Sequence, residues 1–285
     1  MTDHLADITA RIGGIRQLGA VVNAMRGIAA ARAQQARNQL TAVDSYAKTI
    51  AMAIGKTLVF LPPTLAPPTT GGTRPALVVF GAEQGFAGAF SERVLAAIPG
   101  DLGKCELFLI GTRSQSVLAE RGIAAGWVSA MPSHSPAIPK LADSIVEALY
   151  PRLASGAIDA LDVVFSRWSQ GGGADVKRQR LFPFDLTAIS IVSDTNPPLL
   201  NLAPEALIRD LAVEYMHAQL CQAALHAFAA ECQARMEAMA AARKQVEREL
   251  SRLQARQRLV RQEEITAEVI ELAAGETASH AASGA

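Results

Sequence analysis

Apolar residues at the start of the chain repeat with the period of a coiled-coil helix. From Ile8 onward the apolar steps are 4, 3, 7, 3 and 4, a period of about 3.5 residues. The stripe consists of Ile8, Ile12, Ile15, Val22, Met25 and Ala29. Thr2 can cap this helix, with Asp3 in its first turn. The pattern predicts that residues 1–60 form one long helix that begins near Asp3.

The C-terminal third carries a longer stripe. No proline follows Pro204, and the first glycine after it is Gly275. Apolar residues occur at intervals of seven at Leu225, Cys232, Met239, Val246, Leu253 and Val260. A second row fills the other half of the seam: Phe228, Met236, Ala242 and Leu250. Ordinary surface helices run only about 8–20 residues, so residues 204–276 are predicted to form a left-handed coiled coil about 100 Å long.

Between these helices the pattern changes to short strands and helices. Prolines and a Gly-Gly pair predict a linker over residues 61–75. Apolar runs typical of strands occupy residues 76–80, 106–110, 161–165 and 187–192. Helical patterns occupy residues 88–98, 112–121 and 137–153, and residues 170–180 are expected to be a polar, glycine-rich loop. This alternation predicts an α/β sheet, at least partly parallel, within residues 76–195.

The predicted fold class is therefore α/β: a long antiparallel coiled coil of the N- and C-terminal helices plus a central Rossmann-like α/β domain. Residues 277–285 are expected to form a flexible tail. Helices of this length cannot bury their outer faces against one small domain. We therefore expect another protein to surround them.

The composition excludes several classes of protein. The 285 residues carry 27 basic and 27 acidic side chains, a balance that argues against a nucleic-acid binder. The content of 50% hydrophobic and 19% charged residues argues against disorder. Three cysteines are too few for a disulfide framework, which indicates a reducing, intracellular compartment. No apolar run of about 20 residues and no signal-peptide core occur, so we expect no transmembrane segment and no targeting peptide.

Two motifs resemble nucleotide-binding sequences, and each has a plainer explanation. Gly55-Lys56-Thr57 looks like the end of a phosphate loop, but Ile50 stands where its first glycine is needed. The segment GAEQGFAGAF at residues 81–90 follows a strand and opens a helix, as dinucleotide sites do. Its glycines do not follow the G-x-G-x-x-G order, so a tight turn is favoured over a cofactor cradle.

Metal and catalytic chemistry are also weakly supported. His217 and Cys221 share a helix face, but His226 lies on a different face of the helix and no fourth ligand stands out. No arrangement of serine or cysteine with histidine carries a recognisable signature. We therefore predict no catalytic site, no metal site and no cofactor.

A basic segment near the end of the chain carries more information. Residues 243–261 contain seven basic and two acidic side chains, a net charge of +5. Arg248, Arg252 and Arg256 recur every four residues and stack on one helix face. On composition alone, this basic segment could be a helix face exposed to solvent or a face that binds an acidic partner surface. The concentration of charge on an otherwise neutral chain favours the partner.

Three stretches resemble the gamma subunit of F-type ATP synthases, in the family's order and spacing. The first comprises Ile8, Arg11, Ile12, Ile15, Ala24, Met25 and residues 28–31. The second, residues 83–91, echoes the family's turn D-R-G-L-C-G-G-L-N as EQGFAGAFS. The third comprises Glu231, Ala234, Arg235, Met236, Ala238 and Met239, followed by Arg261, Gln262, Ile265, Thr266 and Glu268. The likeness covers essentially the whole chain.

The resemblance implies a central rotor shaft. In the family, the terminal helices form an antiparallel coiled coil inside a ring of alternating alpha and beta subunits. The α/β domain sits against the epsilon subunit and the membrane ring of c subunits. Ion flow turns ring and shaft, and the asymmetric shaft moves each catalytic beta subunit through its nucleotide states. The chain would then be a non-catalytic, peripheral subunit on the cytoplasmic face of a bacterial inner membrane.

The match also assigns residues. Those expected to contact the beta-subunit loop that grips the shaft, or to lie beside it, are Arg252, Arg256, Arg261, Gln262, Thr266 and Glu268. The expected coiled-coil seam is Ile8, Ile12, Ile15, Val22, Met25, Leu225, Cys232, Met239, Val246, Leu253 and Val260. Departures from the family pattern, such as Gly27 for a methionine and Ala87 for the cysteine of the turn, fit an alternative bacterial F-type enzyme. The coupling ion, proton or sodium, is set by the c ring.

A second hypothesis comes from a different class of protein. The chain could be a small-molecule-binding α/β domain with a coiled-coil dimerisation arm. As a shaft, residues 8–29 pair with the C-terminal helix of the same chain. As a dimeric binder, the C-terminal helices pair between chains and the turn at 81–90 holds a ligand. A nucleic-acid-binding coiled coil is disfavoured because residues 243–261 contain no aromatic side chain for stacking.

Overall fold

The computed structural model describes residues 5–61, 74–169, 173–184 and 198–283, with side chains described up to Ala274. The chain forms two compact units. The sheet unit is Ile28–Met236, and the helix unit combines Met1–Gly27 with Glu237–Ala285. The elements are α1 (Leu5–Leu58), β1 (Pro75–Phe80), α2 (Phe90–Ala96), β2 (Glu106–Ile110), α3 (Thr112–Glu120), β3 (Trp127–Ser129), a 3₁₀ turn (Ser135–Ala137), α4 (Ile138–Ala154), β4 (Ala160–Ser169), β5 (Gly173–Phe182) and α5 (Pro204–Ser283). None of the described helices is both long and apolar enough to cross a membrane.

In the helix unit, the start of α1 lies antiparallel to the distal part of α5. The Gln257 side chain donates a hydrogen bond of 2.8 Å to Thr9 Oγ1, whereas Gly19 faces Val246. A Cβ atom at Gly19 would lie 3.1 Å from Val246 Cγ1, so this glycine permits a close approach of the helices. The apolar core of the unit consists of Ile8, Ile12, Leu253 and Val260, with Leu5, Ile15 and Leu250 packed against them.

The sheet unit contains five strands in the order β3-β2-β1-β4-β5. The first four are parallel, and β5 runs antiparallel to β4. In the middle of the sheet, Val78 of β1 lies opposite Phe108 of β2 and Val163 of β4. Parallel strands with helices between them confirm the predicted α/β fold class.

The two faces of the sheet bury different layers, because side chains alternate along each strand. Val78 and Phe80 point into a core that includes α1, α4 and α5, whereas Leu77 and Val79 point toward α2 and α3. Small side chains from the two long helices line the first core: Ala33, Ala36, Ala223, Ala224 and Ala227. Side chains of this size allow the helix axes to approach closely.

The two long helices are also antiparallel within the sheet unit. Their hydrogen-bonded pairs are Arg37 with Gln233 at 3.0 Å, Asp44 with Gln222 at 2.6 Å, and Tyr46 with Glu214 at 2.8 Å. Residue numbers rise on α1 as they fall on α5 along this series. The pairing therefore occurs within one chain, as the shaft hypothesis requires.

Two strands differ from the sequence prediction. β3 has only three residues and was not predicted, and β5 replaces most of the loop predicted over residues 170–180. The loop prediction is wrong because these polar residues form the edge strand β5, in which basic side chains pair with a carboxylate of β4. Arg178 and Arg180 both donate to the Asp162 carboxylate of β4. The predicted strand at 187–192 and the linker residues 62–73 lie outside the described residues.

The helix ends are close to those predicted. α1 is described from Leu5 and ends at Leu58, two residues before the predicted end, and the expected start and cap at Thr2 and Asp3 lie outside the described residues. α5 continues to Ser283, where the sequence predicts a tail from residue 277. Gly275 alone does not end the helix, because the residues that follow are rich in alanine and contain no proline.

His226 of α5 packs on the sheet without a partner for its buried Nδ1 atom. Its ring stacks on Phe165 of β4, with the ring centroids 5.8 Å apart. Burial, together with the nearby Arg167, lowers the pKa of His226 from its ordinary value of 6.5, although Asp44 acts in the opposite direction. The folded chain therefore favours the neutral imidazole.

The free energy of unfolding should decrease as the pH falls below about 6.5, because the unfolded chain takes up a proton at His226 that the folded chain resists. His226→Phe keeps a stacked ring and should reduce this pH dependence, measured by denaturant titration between about pH 5 and 7. The control is His134→Asn at an exposed position. An unchanged slope in His226→Phe would contradict the assignment.

Gly81, at the end of β1, should not tolerate a side chain. A Cβ atom there would lie 2.1 Å from Ser114 Oγ, and the buried Ser114 hydroxyl is held by the Ala82 N–H. Gly81→Ala should lower the free energy of unfolding by about 1–3 kcal/mol. Gly100→Ala, which meets nothing within 4 Å, should change it by less than about 0.5 kcal/mol. Equal effects in denaturant titrations would contradict this account.

Candidate partner-binding surface

The residues expected to grip a beta subunit all lie on α5 in the helix unit and are exposed. They are Arg252, Arg256, Arg261, Gln262, Thr266 and Glu268. Their contacts are local: Thr266 Oγ1 donates to the Gln262 carbonyl at 2.8 Å, and Arg252 lies 3.8 Å from the Glu249 carboxylate. Because an exposed ion pair contributes only about 0–1 kcal/mol, such side chains can readily exchange it for a partner.

The residues expected in the coiled-coil seam are buried or half-buried. In the helix unit, Ile8, Ile12, Val22, Met239, Leu253 and Val260 are buried, and Ile15, Met25 and Val246 are half-buried. Leu225 and Cys232 are buried in the sheet unit. Burial, reinforced by Glu231, raises the pKa of Cys232 to about 11, so this thiol stays protonated and packs as a small apolar group.

Beyond the seam, α5 changes character. Val260 is the last buried residue among those with described side chains, and residues 261–274 are all exposed. Four large apolar side chains lie there: Ile265, Val269, Ile270 and Leu272, exposed at 53%, 59%, 62% and 75%. Ile265, Val269 and Leu272 follow i, i+4, i+7 spacing and form one stripe, which we call the distal stripe. The heptad seam would continue instead to Ala267 and Ala274, so the distal stripe faces another direction.

The motifs read from the sequence do not reveal the distal stripe, since they include Ile265 but neither Val269 nor Leu272. The signal that identifies the stripe is the loss of the heptad phase after Val260. Scattered exposed apolar residues are ordinary, whereas an aligned row on an otherwise polar helix end indicates a binding face.

The part of α5 that precedes the distal stripe, residues 243–261, is strongly basic. Two exposed ion pairs, Arg243 with Glu247 at 2.8 Å and Arg252 with Glu249 at 3.8 Å, offset part of the charge of residues 243–261. Within the described part of the chain, no acidic side chain lies within ion-pairing distance of Arg256 or Arg261. Crowded like charges repel one another, so an acidic partner surface would be attracted to them.

The turn between β1 and α2, the candidate ligand-binding site, is filled by a side chain of α5. The backbone N–H groups of Glu83 and Gln84 both donate to the Glu231 carboxylate of α5, at 3.1 Å each. Arg235 donates to the Gly85 carbonyl at 3.2 Å and to Glu231 at 2.5 Å. The remaining cavity is about 10 Å³, no larger than one water needs. This geometry favours the tight turn over the cofactor cradle. From the sequence, Glu231 and Arg235 are recognised only as members of a family motif, without a role in the turn.

The other phosphate-loop candidate lies in a helix. Gly55-Lys56-Thr57 belongs to the last turns of α1, where Thr57 Oγ1 donates to the Ala53 carbonyl at 2.8 Å. A phosphate loop instead follows a strand and turns its backbone N–H groups toward the ligand. This segment therefore serves as helix.

The three metal-capable residues of α5 do not converge. His217 Nε2 lies 3.0 Å from the Asp143 carboxylate and 3.8 Å from Cys221 Sγ, whereas His226 stacks on Phe165. Burial raises the pKa of Cys221 to about 12, which disfavours the thiolate that a metal requires. Among the residues that the structure describes, no group of three His, Cys, Asp or Glu is arranged to hold a metal ion.

Comparison with known proteins gives a consistent family. The sequence profile of the ATP synthase family matches residues 4–278. The ATP synthase gamma chain of Frankia casuarinae is 28% identical over 297 residues, covering 98% of each chain. That of a Parafrankia species is 29% identical over 304 residues and covers 100% of each chain. That of Moorella thermoacetica is 24% identical over 278 residues, covering 95% of this chain and 98% of its own.

Solved structures share the fold. A chain of the Euglena gracilis mitochondrial ATP synthase, in rotational state 3, aligns with a TM-score of 0.67 and 12% identity over 99% of this chain and 96% of its own. A chain of the Tetrahymena thermophila central stalk and c ring aligns with a TM-score of 0.56 and 16% identity over 78% and 99%. With the profile matched over nearly its whole length, the chain belongs to the ATP synthase gamma family.

Proposed function

We propose that the chain is the central rotor shaft of an F-type ATP synthase, which couples rotation of an ion-driven ring to ATP synthesis and hydrolysis. The observation that carries the proposal is the exposed distal end of α5. Leu5, the first described residue of α1, packs with the cluster around Val260. The α5 turns after Val260 expose both apolar and charged side chains. A surrounding partner accounts for this surface, and a head of alpha and beta subunits is the partner that the family provides.

A shaft needs no catalytic group. It acts as a ligand that contacts each catalytic subunit differently and so biases that subunit toward one conformation. Shifting a two-state subunit from 1:99 to 99:1 takes a difference in contact energy of about 5.5 kcal/mol. The distal stripe and the basic residues of α5 would give different contacts to beta subunits on different sides of the helix. Rotation of the shaft would then bias each beta subunit in turn.

The grip on a beta subunit is assigned to one set of exposed residues. These are Arg261 and Gln262, with Thr266, Glu268, Arg252 and Arg256 beside them. Guanidinium groups can form paired hydrogen bonds with carboxylates, so an acidic surface on the beta subunit is the expected counterpart. Their exposure in the helix unit, and the basic charge of the preceding residues 243–261, support this assignment.

The sheet unit is assigned to the foot of the rotor, where it contacts the epsilon subunit and the c ring. Large apolar side chains are exposed on this unit after the middle of α1 and just before α5: Met52, Val59, Phe60, Leu199 and Leu202. The chain would then be peripheral, on the cytoplasmic face of a bacterial inner membrane. The ring would determine whether protons or sodium ions drive rotation.

The dimeric small-molecule binder is the weaker hypothesis. It needs C-terminal helices that pair between chains, but α5 packs against α1 of the same chain in both units. It also needs a free turn after β1, but Glu231 occupies the N–H groups there. No observation therefore favours it.

Arg261→Ala combined with Gln262→Ala should lower coupled ATP turnover in the assembled complex by roughly tenfold, because one charged and one neutral hydrogen-bonding group toward the partner are lost. The melting temperature of the isolated chain should stay the same, since both side chains are exposed. Arg113→Ala with Gln115→Ala, exposed on α3, is the matched control. Wild-type turnover in a complete complex would overturn the grip assignment.

Replacing the apolar part of the same surface should separate folding from assembly. Ile265→Asp with Val269→Asp places two charges on the distal stripe and should weaken assembly with the alpha and beta subunits by at least about 100-fold. The isolated chain should melt as before because both positions are exposed. Ile265→Ser with Val269→Ser should give a smaller loss. Normal assembly of the double aspartate variant would show that the distal stripe meets no partner.

A further inference from the structure

The turn between β1 and α2 is fastened to α5 by two charged side chains that water scarcely reaches. Glu231 is 4% exposed and Arg235 is 6% exposed. The Glu231 carboxylate accepts the backbone N–H groups of Glu83 and Gln84, one with each oxygen. Arg235 donates to Glu231 at 2.5 Å and to the Gly85 carbonyl at 3.2 Å. Three consecutive residues of the turn are thus bonded to one helix turn of α5.

The turn is fastened equally firmly to the sheet. The Glu83 carboxylate accepts the backbone N–H of Thr112 at 3.0 Å and its hydroxyl at 2.9 Å. It also accepts the backbone N–H of Met131, just past β3, at 2.9 Å. Glu83 therefore bonds to α5 through its backbone N–H and to the segments that follow β2 and β3 through its carboxylate.

Elsewhere in the sheet unit, the contacts of α5 with the sheet are mainly apolar. Ala227 packs toward one face of the sheet, and Ala230 and Ala234 contact the core of the other. A further hydrogen bond of 2.8 Å runs from the Gln179 side chain of β5 to Gln219. Apolar contact is favourable but has no preferred direction, so these surfaces resist sliding and rotation weakly. Hydrogen bonds to charged groups are stronger and demand a fixed geometry. The bonds of Glu231 and Arg235 therefore supply most of the directional contacts that set the rotational position of α5 on the sheet.

We propose that Glu231 is a tethered anion: its carboxylate fills an anion-binding site formed by the N–H groups of Glu83 and Gln84 and by Arg235, and so locks the sheet to α5. No external ligand is needed, since the cavity beside the site is about 10 Å³. In the rotor, an inference that rests on the proposed function, the lock makes the sheet and the long helix turn together. Glu231 is a positioning residue that transmits torque without touching nucleotide.

The anion site predicts chemical rescue in the full chain. Glu231→Ala removes the carboxylate but leaves Arg235 buried without its counter-charge, which should lower the melting temperature by roughly 10 °C. Amide hydrogen exchange at residues 83 and 84 should become about tenfold faster. Sodium formate, whose carboxylate fits the vacated space, should restore much of both losses. Sodium chloride at equal ionic strength should not.

Three further variants make the result interpretable. Glu231→Gln keeps the shape and should be intermediate without formate. Arg235→Ala lacks the cation and should not respond to formate. Glu120→Ala removes an exposed carboxylate at the end of α3 and should behave as wild type. The tethered-anion proposal is overturned if formate stabilises wild type and Glu231→Ala equally, or if exchange at 83 and 84 is unchanged.

Torque transmission is tested separately in the assembled complex. Glu231→Gln should preserve ATP hydrolysis but lower the number of ions transported per ATP hydrolysed, whereas a merely structural role would lower both together. If Glu231→Gln transports as many ions per ATP as wild type, the role of Glu231 in torque is overturned, whereas the tethered-anion site tested with formate is not. Failure of the wild-type chain to assemble with nucleotide-binding subunits would instead overturn the proposed function.

Discussion

The antiparallel packing of α1 on α5 is the constraint on which the rest of the molecule depends. In the helix unit it buries Ile8, Ile12, Leu253 and Val260 and brings Gly19 against Val246. In the sheet unit the same two helices are joined by three side-chain hydrogen bonds and by rows of alanines. Burial of the seam stabilises both helices, because isolated helices with several glycines are weak.

This packing also determines which surface of α5 stays exposed. Leu5, the first described residue of α1, packs with the cluster around Val260. The α5 residues after Val260 expose apolar and charged side chains among the residues with described side chains. The sheet, in contrast, closes its own candidate cradle with Glu231. The turn after β1 is thus filled by the chain itself, whereas the end of α5 is exposed, and this contrast supports the proposed role as a shaft.

Periodicity predicted the parts of the fold that follow local rules. The heptad spacing of α5, the apolar runs of β1 and β2, and the proline-free length of the long helix all specify structure within a few residues. β5 was not predicted because Arg178 and Arg180 are stabilised by Asp162, a partner distant in sequence. The role of Glu231 was not predicted for the same reason, since its partners lie almost 150 residues earlier. The distal stripe was detectable as a change of phase after Val260.

Native mass spectrometry of the tagged chain, purified from its own cells, tests the central claim most directly. The account predicts one copy of the chain bound to three copies each of two larger nucleotide-binding subunits. The mass peaks of this complex should be absent for the variant with Ile265→Asp and Val269→Asp. A homodimer that holds a small ligand and no such subunits would contradict the rotor and return attention to the turn after β1.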